Sequence, residues 1–327
     1  MKRLALLIVA LASGMAHADD DLRRQALSLF GRIEARNAAP TPEVELGRAL
    51  YWDERLSLDR KTSCGTCHFA RDWGADRRKF SPDARGALTS RHSPTIFNSV
   101  AQPALRWLSD RKTAADQAEG SLTGSLGFAS KEAALDKLHQ LDYAAAFRSA
   151  YPKDEQPMST RNYGRAVEAY EATLVTPAPF DRFLGGDDAA LNAAQKDGMR
   201  AFVATGCAAC HSGALLGGTM NQRFGLVKDY WLETGSTKID VGRFAATKKE
   251  EDKYVFRVPM LRNVAKTAPY FHDGSVDTLE RAVRVMASVQ LGKTLDDATA
   301  RSIVAFLESL TGEVPANYAP PGRRPEL

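Results

Sequence analysis

The segment Ser63-Cys64-Gly65-Thr66-Cys67-His68 carries the strongest pattern in the chain, and Gly206-Cys207-Ala208-Ala209-Cys210-His211 repeats it. Both segments fit Cys-x-x-Cys-His, the attachment pattern of c-type haem. Two thiols separated by two residues can reach the two vinyl groups on one edge of a porphyrin, and the adjoining histidine then supplies the proximal nitrogen to iron. The pattern predicts two covalently attached haem c groups, bound through Cys64, Cys67, Cys207 and Cys210, with His68 and His211 as iron ligands.

Three other uses of paired cysteines compete with haem attachment. A zinc site takes two cysteine pairs, but these pairs lie far apart in sequence and each has its own adjoining histidine. A thioredoxin-like site does not explain a histidine after both pairs, and a disulfide across so short a spacing is strained. The chain has 4 cysteines in all, so haem attachment is the interpretation that accounts for every one of them.

The N-terminus has the pattern of a secretory signal peptide. Lys2 and Arg3 precede an apolar stretch, and Ala16-His17-Ala18 supplies the small residues that come before a cleavage site. Cleavage after Ala18 would remove residues 1–18 and predicts a periplasmic protein. An uncleaved membrane anchor is the alternative, but the apolar stretch is short for a membrane span.

Composition limits the class of protein. The chain has 327 residues, with 44 Lys+Arg against 40 Asp+Glu and 44% hydrophobic residues. The hydrophobic fraction is too high for a mainly disordered chain, and there is no long apolar run beyond the N-terminus that would indicate a polytopic membrane protein. A net charge of +4 is too small and too dispersed to indicate nucleic-acid binding. The length suits two domains of ordinary size.

Helical patterns dominate the chain, and one precedes each haem motif. Tyr163, Val167, Tyr170 and Leu174 define an amphipathic helix that stops before Pro177. Thr41-Pro42 indicates the start of an earlier helix. A later helix is predicted to start at Asp187, Asp188 or Asn192 and to end at Gly206. A last helix is predicted to start at Asp296 or Asp297. The proline-rich stretch 176–179 divides the mature chain into domains 19–176 and 177–327. We expect a mainly α fold with long loops around each haem.

These features together resemble the bacterial di-haem cytochrome c peroxidase and MauG family. The resemblance covers roughly residues 46–312, through segments that include LGRALYWDERLS, SPTIFNSV, GCAACHSGALLGG and VPMLRNVAKTAPYFHDGS. It implies two cytochrome c-like domains, each with one covalently bound haem c. In this family the N-terminal haem is the low-potential peroxide site. The C-terminal haem is a high-potential electron store with a histidine and a methionine ligand.

The resemblance implies an axial ligand for the second haem. Met286 stands where the family places this methionine, and a thioether ligand raises the potential of a haem that stores an electron. Spacing alone would not choose Met286, because Met220 and Met260 also follow His211. A core methionine packed along its own helix is the other interpretation of Met286.

The resemblance also assigns residues around the peroxide and between the haems. Trp107 matches a tryptophan between the two haems, although a core tryptophan would suit the position equally well. Gln117 matches a glutamine on the distal side of the first haem, and His272 matches a structural histidine near the second. The family's distal glutamate, which transfers protons during peroxide cleavage, falls at Gly127. The nearest acids in sequence are Asp116, Glu119 and Glu132, and none falls on the aligned position.

Two further family features are missing or altered. Other members carry a removable histidine ligand in a loop where this chain has Ala84-Arg85-Gly86. His92 stands where the family has an asparagine that binds an interdomain calcium, together with backbone oxygens at Thr267 and Pro269. Calcium takes oxygen ligands, so an imidazole at this position argues against it. His92 as a distal ligand or proton carrier is an alternative.

The resemblance implies a periplasmic peroxidase that reduces hydrogen peroxide with electrons from a small cytochrome c or cupredoxin. The altered distal residues leave two alternatives open, a MauG-like oxidase that modifies a partner protein and a non-catalytic electron carrier or haem sensor. The MauG branch has a tyrosine where this chain has Met286, which argues against the first alternative. Family members are often dimers, so a homodimer is implied as well, although the sequence identifies no self-complementary surface.

Overall fold

The computed structural model of the protein describes residues 19–34 and 40–326, so the predicted signal peptide 1–18 lies outside the described residues. The described chain is mainly helical, as the sequence predicts, and its two strands form an antiparallel pair. Within this part of the chain, no helix is both long enough and apolar enough to cross a membrane. The helices are α1 (19–29), α2 (Pro42–Trp52), α3 (Ala114–Thr123), α4 (Lys131–His139), α5 (Ala144–Ala150), α6 (Thr160–Glu171), α7 (Pro179–Leu184), α8 (Ala193–Thr205), α9 (Tyr230–Thr234), α10 (Phe244–Thr247), α11 (Leu279–Leu291) and α12 (Asp297–Glu308), and the strands are β1 (Asn221–Arg223) and β2 (Val255–Arg257).

The helix ends follow local side-chain chemistry. Thr41 caps α2 through its hydroxyl, and Pro42 follows in the first turn. Among the alternatives for the start of α8, Asn192 is the cap, in a reciprocal pair of hydrogen bonds with Gln195. The helix ends at Gly206, whose φ of 104° is costly for any residue with a Cβ. These ends place a Cys-x-x-Cys-His motif directly after α8.

The first hydrophobic core lies between α2, α3 and α6. Tyr51, Tyr163 and Tyr170 are fully buried in it. The helices α2 and α6 cross at very short range, because a Cβ added at Gly47 would lie 1.8 Å from Ala166 O. Glycine at this crossing is therefore required by close backbone approach.

The second core repeats the same arrangement with α8 and α12. A Cβ added at Gly198 would lie 1.8 Å from Ser302 O, as at the first crossing. Phe306 Cβ lies 3.0 Å from that added atom, and Tyr170 Cβ takes the equivalent place against Gly47, also at 3.0 Å. The fold thus contains an internal repeat, in which each glycine-bearing helix precedes one Cys-x-x-Cys-His motif.

One hydroxyl joins the two repeats. Thr176 Oγ1 accepts hydrogen bonds from Asn98 Nδ2 at 2.8 Å and from Asn263 Nδ2 at 2.9 Å. Both asparagines are buried and have left-handed backbone conformations, with φ of 61° and 64°. Their side-chain oxygens are also satisfied, by Thr176 N at 3.0 Å and by Gly312 N at 3.0 Å. The stretch predicted as a domain boundary is therefore tightly held at its first residue.

Each end of the described chain packs in the core of the other repeat. Leu22, Ala26 and Phe30, in and after α1, are buried in the second core. Tyr318, near the other end, is buried in the first core, and its hydroxyl donates to His68 O. The predicted domains 19–176 and 177–327 do not account for this exchange of chain ends, through which each half contacts the core of the other.

Candidate functional site

The first Cys-x-x-Cys-His motif lies on a short 3₁₀ turn, Cys64–Thr66. The turn is held by its own side chains, since Thr66 Oγ1 donates to Ser63 O at 2.7 Å. His68 Nδ1 lies 2.8 Å from Gly74 O. A carbonyl oxygen only accepts, so Nδ1 carries the hydrogen and Nε2 is the nitrogen left to bind a metal.

The second motif has the same local geometry on the turn Cys207–Ala209. His211 Nδ1 lies 3.1 Å from Leu216 O, so its Nε2 is likewise the free nitrogen. Gly217 packs directly against this histidine, because a Cβ there would lie 2.3 Å from Pro259 O and 3.1 Å from His211 Nδ1. The glycine therefore allows the backbone to approach the imidazole closely.

Both motifs fit a covalently bound haem c. All four thiols are unpaired, so each pair is available for thioether bonds. Burial lowers the pKa of His211 to about 4, and burial also lowers the pKa of His68. Both imidazoles are therefore neutral near pH 7, which is the form that binds iron. With Nδ1 hydrogen-bonded to the backbone, each ring is also held in one tautomer and orientation.

A cavity of about 220 Å³ lies beside the second motif. The two cysteines and His211 contribute to its wall, and Met286 on α11 lines it as well. Met260 also lines this cavity, whereas Met220 is 37% exposed and lies outside the lining. The structure thus brings Met286 to the cavity of His211, and it leaves Met260 as a second thioether in the same space.

Trp107 is buried where the two halves of the chain meet. Its Nε1 donates to His92 O at 2.8 Å, and its own carbonyl accepts from Arg257 N at 2.8 Å. Its ring meets that of His272 edge to face, with centroids 6.2 Å apart, and both residues line the cavity of the second motif. His272 in turn stacks on Phe256, at 4.2 Å between ring centroids.

Gln117 and Gly127 lie on α3 and on the loop that follows it. The Oε1 atom of Gln117 is buried and has no hydrogen-bond partner among the described residues. Gly127 has a φ of 85°, and a Cβ added there would lie 3.1 Å from Ala84 Cβ and 3.2 Å from Leu58 Cβ. Backbone conformation and close packing both favour glycine at the position where the resemblance implies a glutamate.

The acids close to this loop in sequence have other partners. Glu119 accepts hydrogen bonds from Thr160 Oγ1 at 2.8 Å and from Lys131 Nζ at 2.9 Å. Asp116 accepts from Lys112 N at 3.1 Å, and Glu132 is exposed in the first turn of α4. Among the described residues, no hydrogen bond joins any of these carboxylates to the Gln117 side chain.

The loop with Ala84-Arg85-Gly86 lies against the loop that carries Gly127. Ala84 N donates to Ser125 O at 2.8 Å, and Arg85 Nη2 donates to Gly124 O at 3.0 Å. This segment, where the resemblance implies a removable histidine ligand, is therefore bound to its neighbour through backbone and guanidinium hydrogen bonds.

Glu171, on the last turn of α6, is a partly buried acid that the sequence patterns did not single out. It follows Ala166 at the same spacing at which Leu307 follows Ser302 in the second repeat, and Leu307 lines the second cavity. No described side chain forms a hydrogen bond or an ion pair with its carboxylate. Burial, with a smaller contribution from the charge of Glu168, raises the pKa of Glu171 to about 8. The available signal was an acid on the same helix face as Tyr163 and Val167.

The residues predicted around a calcium ion lie together but do not fit that ion. His92, Thr267 and Pro269 all line the cavity of the second motif. His92 Nδ1 lies 3.1 Å from Arg78 O and therefore carries a hydrogen, and an imidazole is not a calcium ligand. Within the described ranges, no group of three or more His, Cys, Asp or Glu side chains is placed to bind a metal ion.

Comparisons with known proteins agree with one another. Residues 41–189 match a family described as di-haem cytochrome c peroxidase. Cytochrome c551 peroxidase of Pseudomonas aeruginosa is 44% identical, over 95% of this chain and 92% of the relative. The methylamine utilization protein MauG of Methylorubrum extorquens is 30% identical, over 95% of this chain and 93% of the relative. The crystal structure of a MauG-like protein associated with microbial copper homeostasis superposes with a TM-score of 0.75 at 26% identity, covering 89% of this chain and 96% of that one.

Proposed function

We propose, because this chain belongs to the di-haem cytochrome c peroxidase family, that it reduces hydrogen peroxide to water in the periplasm with electrons from a small redox protein. The family is one of oxidoreductases, and its cofactor is haem. The observation that carries the proposal is the pair of matched sites, in which a neutral histidine with a free Nε2 follows two unpaired thiols. The pattern of residues 1–18 supports the periplasmic location.

Each repeat has its own role in this proposal. Haem c supplies one-electron redox chemistry and, where a coordination position is open, a place for peroxide to bind. Cys64 and Cys67 would hold the first haem, with His68 as its proximal ligand. The second haem would be held by the equivalent cysteines and by His211, with Met286 as its other ligand. Gln117 would serve the first site, since its unpaired buried Oε1 can accept a hydrogen bond from hydrogen peroxide.

The choice of Met286 can be tested against Met260, because both line the second cavity. Leucine in place of methionine nearly conserves volume, so each variant removes a thioether with little change in packing. We expect Met286→Leu to lower the potential of the second haem and Met260→Leu to leave it unchanged. The opposite result in redox titration of the two variants would transfer the ligand role to Met260.

Trp107 is the proposed route for electrons between the two sites. Its Nε1 is bound to the backbone that follows the first motif, and its ring lines the cavity of the second. The Trp107 ring therefore lies beside the second site and is hydrogen-bonded to the first half of the chain, so an electron could pass through it from one site to the other. The donor, a small cytochrome c or cupredoxin, would dock close to the second site. A homodimer, which sedimentation of the holoprotein would test, is part of the same proposal.

A MauG-like oxidase is the second candidate, favoured by the altered distal side. This chain has Gly127 and the loop at Ala84-Arg85-Gly86 where the resemblance implies an acid and a histidine. Such an enzyme would oxidise side chains of a partner protein and would turn over small donors weakly. A non-catalytic electron carrier or haem sensor would oxidise neither a partner protein nor a small donor with peroxide.

The deciding experiment uses the holoprotein with both haems attached and one electron added. Reduced cytochrome c, or a reduced cupredoxin in a parallel series, is mixed with it, and oxidation of the donor is followed after hydrogen peroxide is added. Oxidation without peroxide and oxidation by a Cys64→Ser/Cys67→Ser variant are the controls. Rapid peroxide-dependent turnover by the native chain alone would support the proposal. No turnover with either donor would refute the peroxidase, and a protein substrate or a sensing role would then replace it.

A further inference from the structure

His92 occupies a junction between the two halves of the chain. It is 4% exposed. Its backbone N–H donates to His272 O at 2.7 Å, and its carbonyl accepts from Trp107 Nε1 at 2.8 Å. Its ring is held by the hydrogen bond from Nδ1 to Arg78 O, at 3.1 Å. Both the backbone and one side of the imidazole are therefore fixed in place.

The other side of the imidazole has no partner. His92 Nε2 is buried, and no described residue forms a hydrogen bond with it. The residue lines the same cavity as Cys207 and His211. A buried polar atom without a partner costs about 1–3 kcal/mol, so we expect its partner to belong to the group that fills this cavity.

The charges around the cavity favour an anion as that partner. Among the described residues no aspartate or glutamate lines it, whereas three arginines do. Arg262 is already paired with Asp181, and Arg257 donates from Nε to Arg106 O at 2.8 Å. Haem c, the group that the proposed function places here, carries two carboxylates. A carboxylate accepts a hydrogen bond from His92 Nε2 only when the ring is protonated, because Nδ1 already carries the one hydrogen of the neutral ring.

We propose that protonated His92 binds a carboxylate of the second haem through Nε2–H, which makes it a positioning residue that links the potential of this haem to pH. The inference rests on haem attachment within the proposed function, but it does not require peroxidase activity. An imidazolium near the haem favours the reduced state, because reduction lowers the positive charge at iron. The potential of the second haem then falls as pH rises and His92 loses its proton.

The electrostatic surroundings of His92 are mixed. Burial lowers the pKa of His92, while the carbonyl of Arg78 and the charge of Asp76 act in the opposite direction. A carboxylate within hydrogen-bond distance would also raise the pKa of His92 and favour the protonated ring. The groups that act on the pKa of His92 are the carboxylates of Asp76 and Asp273 and the backbone of Arg78 and Lys79, and His92 in turn lowers the pKa of His68. His272 is linked to His92 through its backbone carbonyl.

The test is a redox titration of the holoprotein over a range of pH, with no peroxide and no protein donor. We expect the potential of the second haem to fall with rising pH in the native chain. In His92→Asn, whose amide can still donate to Arg78 O, this slope should be lost; a chelator is present, because the family has a calcium-binding asparagine at this position. His139→Asn, at an exposed position on α4, is the matched control and should keep the native slope. Identical slopes in the native chain and His92→Asn would overturn the proposal.

A measurement on the native chain covers the case in which His92→Asn does not fold. Infrared difference spectra of reduction should contain a band of a protonated histidine ring that shifts when histidine is labelled with nitrogen-15. The neutral iron ligands His68 and His211 do not give this band, so its absence would overturn the proposal. Treatment with a chelator distinguishes a carboxylate from a metal ion as the partner of His92 Nε2. If chelation removed the pH dependence, a bound cation would be the partner and the proposal would be wrong. A protein that is inactive with peroxide but keeps the slope would refute the peroxidase alone.

Discussion

The crowding at Gly127 can be measured with a pair of alanine variants. Gly127 has a φ of 85°, and an added Cβ would meet Ala84 Cβ at 3.1 Å and Leu58 Cβ at 3.2 Å. Gly86, on the adjoining loop, has a φ of 81° and no heavy atom within 4 Å of an added Cβ. The two positions therefore share the backbone conformation and differ in the space around the side chain.

The expected losses follow from these two factors. A residue with a Cβ in the left-handed region costs about 1–2 kcal/mol, so Gly86→Ala should lose about that much free energy of unfolding. Inserting an atom into a tightly packed site costs about 1–3 kcal/mol more. Gly127→Ala should therefore lose about 2–5 kcal/mol in total, and the difference between the two variants isolates the packing cost.

Urea unfolding of the holoprotein, followed by far-UV circular dichroism and by haem absorbance, measures both losses. The dependence of the free energy of unfolding on urea concentration should be the same in the native chain and in both variants, so that a shift in the urea midpoint reports a change in stability. Equal losses at the two positions, or a larger loss at Gly86, would refute the packing argument. The result also sets the baseline for Gly127→Glu, which must overcome the same crowding before a restored carboxylate could transfer a proton.

Three further predictions concern the crossing helices, a partly buried acid and calcium. Gly198→Ala should lose more than about 3 kcal/mol of stability, because its Cβ would lie 1.8 Å from Ser302 O, and a near-native urea midpoint would contradict the crossing geometry. Burial raises the pKa of Glu171 from 4.5 to about 8, so the folded protein keeps a proton that the unfolded chain releases, and stability should fall as pH rises between these values. Urea midpoints across this pH range should fall less steeply in Glu171→Gln, and equal steepness would show that Glu171 does not titrate in this way. Calcium or a chelator should leave the thermal midpoint and the activity of the holoprotein unchanged, because the His92 imidazole is not a calcium ligand, and a rise in the midpoint with calcium would disprove this.

The sequence revealed the features that depend on neighbouring residues. The two Cys-x-x-Cys-His motifs could be identified because thioether attachment needs a fixed local spacing. The starts of α2 and α8 could be assigned, at Thr41 and at one of three candidate caps, because capping is a contact across three residues. The mainly helical fold followed from these local patterns, and the structure confirms it.

Features that depend on distant contacts could not be predicted in the same way. Nothing in the segment around Gly127 indicates that Ala84 and Leu58 pack against it. The unpaired Nε2 of His92 and the exchange of chain ends at Tyr318 arise only when remote segments meet. Glu171 is intermediate, since its place on a helix face with Tyr163 was visible in the sequence, but the repeat that relates it to Leu307 was not.

The Thr176 hydroxyl has a consequence for how such a protein can be altered. Because one oxygen accepts from Asn98 and from Asn263, a change at Thr176 would disturb both repeats at once, and neither repeat could be exchanged for that of another protein without its asparagine. Electron tunnelling slows steeply with distance, so the two haems of the proposed function would need a constant separation. In this chain the hydrogen bonds of one threonine with two asparagines, none of which carries a charge, are among the contacts that would hold that separation.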